Sequence, residues 1–292
     1  TTLRNVNLLG GALTLNATGN GTQAGVISGT TSLVKTGAGT FTLSSANTYT
    51  GTTTISAGTL QVGAGLTTGA LGTGGAVTND GTLIFNRSNA MTVANVIGGS
   101  GDLVKAGTGA TTLSGANTYS GATSVNTGTL IANNATALGS TVAGTTVAAG
   151  ATLSLNAFAF GAESLALNGT GVGALGALTG TGTGSLSGAV DLASNASIGG
   201  TRALTLSGPV SGNSTLTKVG AGSLVLSGAN SYSGSTTINA GTLSIAADSA
   251  LGTAPGAATP GHLTFGGGTL LTTASFTLNA NRGIALNSNG TL

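Results

Sequence analysis

Along the chain, apolar and polar residues alternate over runs of only a few positions, and glycine or asparagine closes each run. Phe41 shares a face with Leu43, Thr53 with Ile55 and Leu60 with Val62, while Thr123 with Val125 and Leu243 with Ile245 keep the same parity. A period of two bounded by turn residues predicts short β-strands. GALTL at 11–15, GTLIF at 81–85, ATLSL at 151–155, HLTF at 262–265 and GTLL at 268–271 continue the grammar in looser form. A strand this short cannot bury its face alone; stacking on equivalent strands above and below gives it a core, as in a solenoid. The expected fold is a parallel β-helix with Leu, Val, Ile and Ala inside and Thr, Ser and Asn outside. At about 20 to 25 residues per coil, the chain would supply about 12 to 14 coils.

Three segments, 26–63, 96–133 and 209–246, align without a gap. Every lysine (Lys35, Lys105, Lys218) and every tyrosine (Tyr49, Tyr119, Tyr232) falls in a matching column. Gly37 with Gly39, Gly107 with Gly109 and Gly220 with Gly222 follow the lysine strand, where glycine permits a left-handed corner. The copies begin 70 and then 113 residues apart (26 to 96, 96 to 209), so they are interspersed among plainer coils. Residues 1–292 read as one domain. Segment 168–188 is the loosest, either a linker or glycine-rich turns between two short strands.

Composition narrows the class. The 292 residues include 54 Gly, no Cys and no Trp, with 4% charged and 3% aromatic side chains. Ordinary soluble domains carry about 25% charged residues, so a conventional enzyme built on ion pairs is improbable. Mean hydropathy of +0.39 argues against disorder, and abundant Gly and Thr argue against helix. A net charge of +2 comes from seven basic and five acidic residues, too few for a nucleic-acid surface. No apolar run is long enough for a membrane helix.

The pattern L-x-K-x-G-x-G, then L-S-x-x-N-x-Y-x-G-x-T, then G-T-L resembles the passenger-associated transport repeat, or autotransporter-associated β-strand repeat. Leu33, Lys35, Gly37, Gly39, Leu43, Ser44, Asn47, Tyr49, Gly51, Thr53, Gly58 and Leu60 carry it in the first copy, and both other copies restore these types. An ALG tripeptide follows each copy, at 70–72, 137–139 and 250–252, as in such proteins. The resemblance implies a type V secreted passenger: a right-handed, single-stranded parallel β-helix outside the outer membrane, serving as an adhesin or its stalk. It implies repeats that promote translocation and folding, and a C-terminal translocator barrel as partner. With no signal peptide or barrel strands in sight, the chain reads as a fragment excised from a longer passenger. Host surfaces or like passengers on neighbouring cells are the other expected partners, and flat-faced ice or glycan binding is a weaker alternative. The T-x-T pairs Thr40/Thr42, Thr52/Thr54 and Thr181/Thr183 are too irregular to favour it.

Catalytic, cofactor and metal sites are all expected to be none. His262 is the sole histidine and reads as a solvated turn or strand-start residue. Asp80, Asp102, Glu163, Asp191 and Asp248 are scattered, whereas glycosidases need two carboxylates flanking one bond. Gly98–Asp102 is similar to a calcium nonapeptide, but its aspartate is out of register. The glycine strings lack the lysine of a phosphate loop. Each repeated tyrosine is expected over a turn with its hydroxyl at the rim, and each lysine at a strand end with its stem along the rod. Asn47, Asn117 and Asn230 are expected at turns, bonding nearby backbone. Sequons at Asn16, Asn134, Asn195 and Asn289 are expected by chance.

Overall fold

The computed structural model describes residues 2–3, 5–8 and 10–291. These form two compact units, 1–144 and 145–292. Both are built from strands of mostly two to five residues, and the strand pairs within them are parallel. Each unit is an all-β solenoid, and the described residues make about 14 turns in all. Among the described residues no helix is long and apolar enough to cross a membrane.

In the first unit, Leu13–Asn16, Leu33–Thr36, Thr53–Ile55, Val77–Asn79 and Ile97–Gly98 form one ladder. Gly21–Gln23, Thr40–Leu43, Thr59–Val62, Thr82–Phe85, Asp102–Lys105 and Thr123–Val125 form a second. Met91–Val93, Ala110–Leu113 and Thr129–Ala132 stack as a further set. In the second unit, Leu216–Lys218 pairs with Thr236–Ile238 and then Thr259–Phe265, while Ser223–Leu226 pairs with Thr242–Ile245 and then Thr269–Thr272. Coil length is uneven: Phe41 stacks on Leu60 nineteen residues later, Thr53 on Val77 twenty-four later, and Thr236 on Leu263 twenty-seven later. The two long coils carry the ALG tripeptides that follow the first and third copies.

Alternation selects the core. Leu33, Phe41, Leu43, Ile55, Leu60 and Val62 are buried, as are their counterparts Leu103, Leu113, Val125 and Leu130, and the residues between them face outward. Parallel ladders of this kind bury identical positions on top of one another. Segment 168–188 contains the end of strand Leu165–Gly169, a 3₁₀ turn at Val172–Ala174 and strands Leu178–Gly180 and Gly184–Leu186.

Glycine is required at the corners for two different reasons. Gly37 and Gly220 adopt φ of +75° and +72°. Gly107 lies against the coil above it, where an added Cβ would sit 2.1 Å from the Arg87 carbonyl oxygen. The position is thus sterically closed in all three copies, with an added Cβ 2.6 Å from the Ala17 oxygen at Gly37 and 2.7 Å from the Gly200 oxygen at Gly220, and torsionally demanding in the first and third.

Candidate functional site: buried polar clamps in the repeats

In Leu33–Thr36, Leu33 and Lys35 share the inward parity, and both are fully buried. Lys105 and Lys218 hold the same place, 0% and 1% exposed. No carboxylate meets these ammonium groups among the described residues. Lys35 Nζ donates to the carbonyls of Thr36 (2.8 Å) and Gly37 (2.8 Å) and, on the next coil, Ala57 (3.1 Å). Lys218 donates likewise to Val219 (2.8 Å), Gly220 (2.7 Å) and Ala240 (3.1 Å), and Lys105 to Gly107 and Thr127 (2.9 Å). An ammonium has three donors and no acceptor, so three carbonyls saturate it. The lysine therefore ties the glycine corner of its own coil to the corner stacked on it. Burial lowers the lysine pKa, to about 8 at Lys105 and Lys218, and lowers Lys35 as well.

The asparagine reaches in both directions. Asn47 Oδ1 accepts from the Ile27 N–H (2.9 Å) on the preceding coil, and its Nδ2 donates to the Ala70 carbonyl (2.8 Å) on the following one. Asn117 joins Ile97 (2.9 Å) to Ala137 (2.7 Å), and Asn230 joins Val210 (2.8 Å) to Ala250 (2.7 Å). The three acceptors downstream are the alanines of the ALG tripeptides. The glycines of the same tripeptides lie on the tyrosines: a Cβ at Gly72, Gly139 or Gly252 would sit 2.3, 2.5 or 2.2 Å from the carbonyl oxygen of Tyr49, Tyr119 or Tyr232. Each tyrosine is fully buried and shares a hydrogen bond with a threonine four residues on: Thr53 (2.7 Å), Thr123 (2.7 Å) and Thr236 (2.8 Å). Burial raises the pKa of Tyr49, and that of Tyr232 to about 12, against the opposing effect of the threonine bond.

These placements correct the expected rim tyrosines and surface lysines. Both side chains point inward because they share parity with Leu33 and Thr53, and backbone groups on adjacent coils meet their polar ends. The asparagines do bond backbone, but across coils rather than within their own turn. The threonines and ALG tripeptides complete the cluster; the signal that could have revealed them is the parity of Thr53 with Ile55.

His262 is a buried strand residue, 5% exposed, rather than a solvated one. Its Nδ1 lies 3.4 Å from Arg282 Nη1, its Nε2 is buried without a hydrogen-bond partner among the described residues, and burial followed by the Arg282 charge lowers its pKa. Arg282 also pairs with Asp248 (2.9 Å) and donates to Leu251 (3.0 Å) and Gly252 (2.6 Å), so it clasps the third ALG turn. The other acids serve separate coils: Asp80 accepts from Ser100 N (3.0 Å), Asp102 from Ala122 N (2.8 Å) and Glu163 from Thr145 Oγ1 (2.7 Å).

Within the first unit the two copies occupy different faces. The lysine strand of the first copy lies in the ladder of Leu13–Asn16, whereas that of the second lies in the ladder holding Thr40–Leu43 of the first. A 70-residue separation over coils of about 20 residues advances the motif by more than whole turns, so it moves around the solenoid. Its repeated side chains thus serve neighbouring coils and do not assemble one external face.

Passenger-associated-transport-repeat is the family that matches the clamped segments, at residues 33–62, 103–132 and 216–245. The chain carries three passenger-associated transport repeats. Their matched bounds leave out both outer contacts of each clamp, since Ile27, Ile97 and Val210 lie before them and Ala70, Ala137 and Ala250 after. An 88-residue stretch, 29% of this chain, is 46% identical to a protein named Adhesin BmaC autotransporter from Brucella suis biovar 1 (strain 1330). That match spans 2% of the relative's length. No solved structure gives a significant match to this repeat-bearing chain.

Proposed function

We propose that the chain is part of the extracellular passenger of an autotransporter, a non-enzymatic β-solenoid with a stalk or adhesive role, in which each transport repeat fixes the register of the coils around it. The buried lysine and asparagine, repeated three times and each bonded to backbone on a neighbouring coil, carry this reading, with the buried tyrosine packed against the ALG glycine of the next coil. Coils made of Thr, Gly and Leu are nearly interchangeable, and apolar burial alone resists slippage weakly where strands are short and glycine-rich. A slipped coil would cost the ammonium its inter-coil carbonyl and the buried amide its partners on both neighbouring coils, each a substantial penalty. Register-setting is the best-attested use of buried polar groups. Coils that lock one at a time outside the cell would bias the chain outward through its own C-terminal translocator barrel. The named adhesin relative supports the surface or secreted location and the adhesive half of the reading.

The test uses the displayed parent passenger with cysteines at Thr54 and Thr78, register partners on adjacent strands. Their Cα atoms lie about 4.8 Å apart, within disulfide reach. The unmodified repeat should give efficient Thr54–Thr78 cross-linking. Combining Lys35→Met, Asn47→Leu and Tyr49→Phe should scatter the cross-links and lower surface abundance. Unchanged cross-linking and abundance in the triple variant would reject register locking. Deleting residues 1–292 and scoring cell aggregation and attachment at matched abundance separates the roles: lost adhesion marks the rod as adhesive, retained adhesion as a stalk.

A further inference from the structure

A groove of about 300 Å³ opens in the first unit beside the first ALG turn. Met91, partly exposed over the buried Leu71 and Val93, supplies apolar lining, and Arg87, Thr92 and Asn95 supply polar lining. One wall is held by the first repeat, because Asn47 Nδ2 fixes Ala70 and Gly72 rests on Tyr49. Asn95 holds the same wall from the other side, its Nδ2 donating to Gly72 (3.1 Å) and Gly75 (2.6 Å). The repeat thereby makes the groove a preorganised feature.

Arg87 is half-buried at this groove and has no carboxylate partner among the described residues. Its Nη1 donates to the Gly69 carbonyl (3.0 Å) and its Nε to Asn89 Oδ1 (3.0 Å). These two bonds orient the guanidinium and leave the Nη2 amino group without a hydrogen-bond partner among the described residues. The two nearest acids by sequence, Asp80 and Asp102, are engaged with Ser100 and Ala122. In a chain with 4% charged residues, an oriented and uncompensated cation in a cleft is a distinct chemical feature.

We infer that this groove binds a carboxylated monosaccharide, a sialic or uronic acid residue at the end of a glycan. The inference rests on the adhesive reading and gives it a ligand class. A sugar acid matches each accessible group: its carboxylate is an acceptor pair for the guanidinium, its ring C–H face a partner for Met91, and its hydroxyls partners for the exposed Thr92 and the Asn95 side-chain oxygen. The volume lies at the lower end of small-molecule sites, which suits one ring rather than an extended chain. Simple anions would leave the apolar lining unused, and neutral sugars would leave the cation unpaired.

The experiment titrates the ¹⁵N-labelled full chain with the methyl glycosides of N-acetylneuraminic acid and D-glucuronic acid, with methyl glucoside as the neutral control. Saturable shifts are expected at the Arg87 Nε–H and the Asn95 side-chain amide for at least one acid, with affinity falling as salt rises. Arg87→Met, which keeps the stem and removes the charge, should weaken binding about tenfold or more. Thr92→Ala, at an exposed position, should weaken it about threefold without altering the backbone spectrum. Equal shifts with methyl glucoside, no saturable shift with either acid, or full binding by Arg87→Met would each overturn the inference. Cross-linking and display are measured independently, so failure here leaves the passenger reading standing, and failure there leaves a sugar site without its adhesive context.

Discussion

Asn117→Ala tests the clamp of the second repeat. Asn117 is 1% exposed and joins the Ile97 N–H to the Ala137 carbonyl across three coils of the first unit. Removing the amide leaves one buried donor and one buried acceptor unpaired, at about 1 to 3 kcal/mol each. A water entering the space left behind would recover part of that loss, so the net cost should be about 2 to 4 kcal/mol. In a solenoid the damage should spread to neighbouring coils before the whole chain unfolds. Native-state hydrogen exchange reads this directly. Ile97 loses its own acceptor, but Thr118 and Ser120 keep their bonds to the Ile97 and Gly99 carbonyls. Their exchange should nonetheless accelerate, by about 30-fold to 1000-fold if the full cost is felt locally. The exposed Asn20→Ala should stay within about 0.5 kcal/mol. Acceleration confined to Ile97, with Thr118 and Ser120 still protected, would refute a clamp that holds three coils together.

Two further outcomes follow from the same cluster. Lys105 and Lys218 protonate near 10.5 when unfolded and near 8 when folded, so between these values the unfolded chain holds more protons and stability rises with pH. Tyr232 ionises near 10 unfolded and about 12 folded, so its contribution fades above pH 10. The thermal midpoint should climb from pH 8 to about pH 10 and then fall, and a profile that is flat or falling from 8 to 10 would contradict the buried lysines. Gly252→Ala places a Cβ 2.2 Å from the Tyr232 carbonyl oxygen at φ +74° and should cost about 2 kcal/mol or more in urea unfolding. Gly256→Ala meets nothing within 4 Å and should cost less than about 0.5 kcal/mol; equal losses would reject the ALG contact.

The sequence alone determined the strands, the repeats and the stacking. Alternation in Phe41–Leu43 and Thr53–Ile55 is a local property, and the matching columns of Lys35, Lys105 and Lys218 show the unit that recurs. It also carried the parity that turns Lys35 inward beside Leu33. What it could not decide is whether such a position is tolerable for a polar group. That depends on which carbonyls and amides lie opposite, such as Ala57 for Lys35, or Ile27 and Ala70 for Asn47. Those partners lie one coil away, 22 residues after each lysine and 20 before each asparagine, a pairing that only the stacking register of the coils defines. Tertiary stacking also decided that the first two repeats lie on different faces, because uneven coils rotate identical motifs around the solenoid. Burial of His262 and the Arg282–Asp248 clasp have the same origin: residues 34 positions apart meet only once the coils between them have closed.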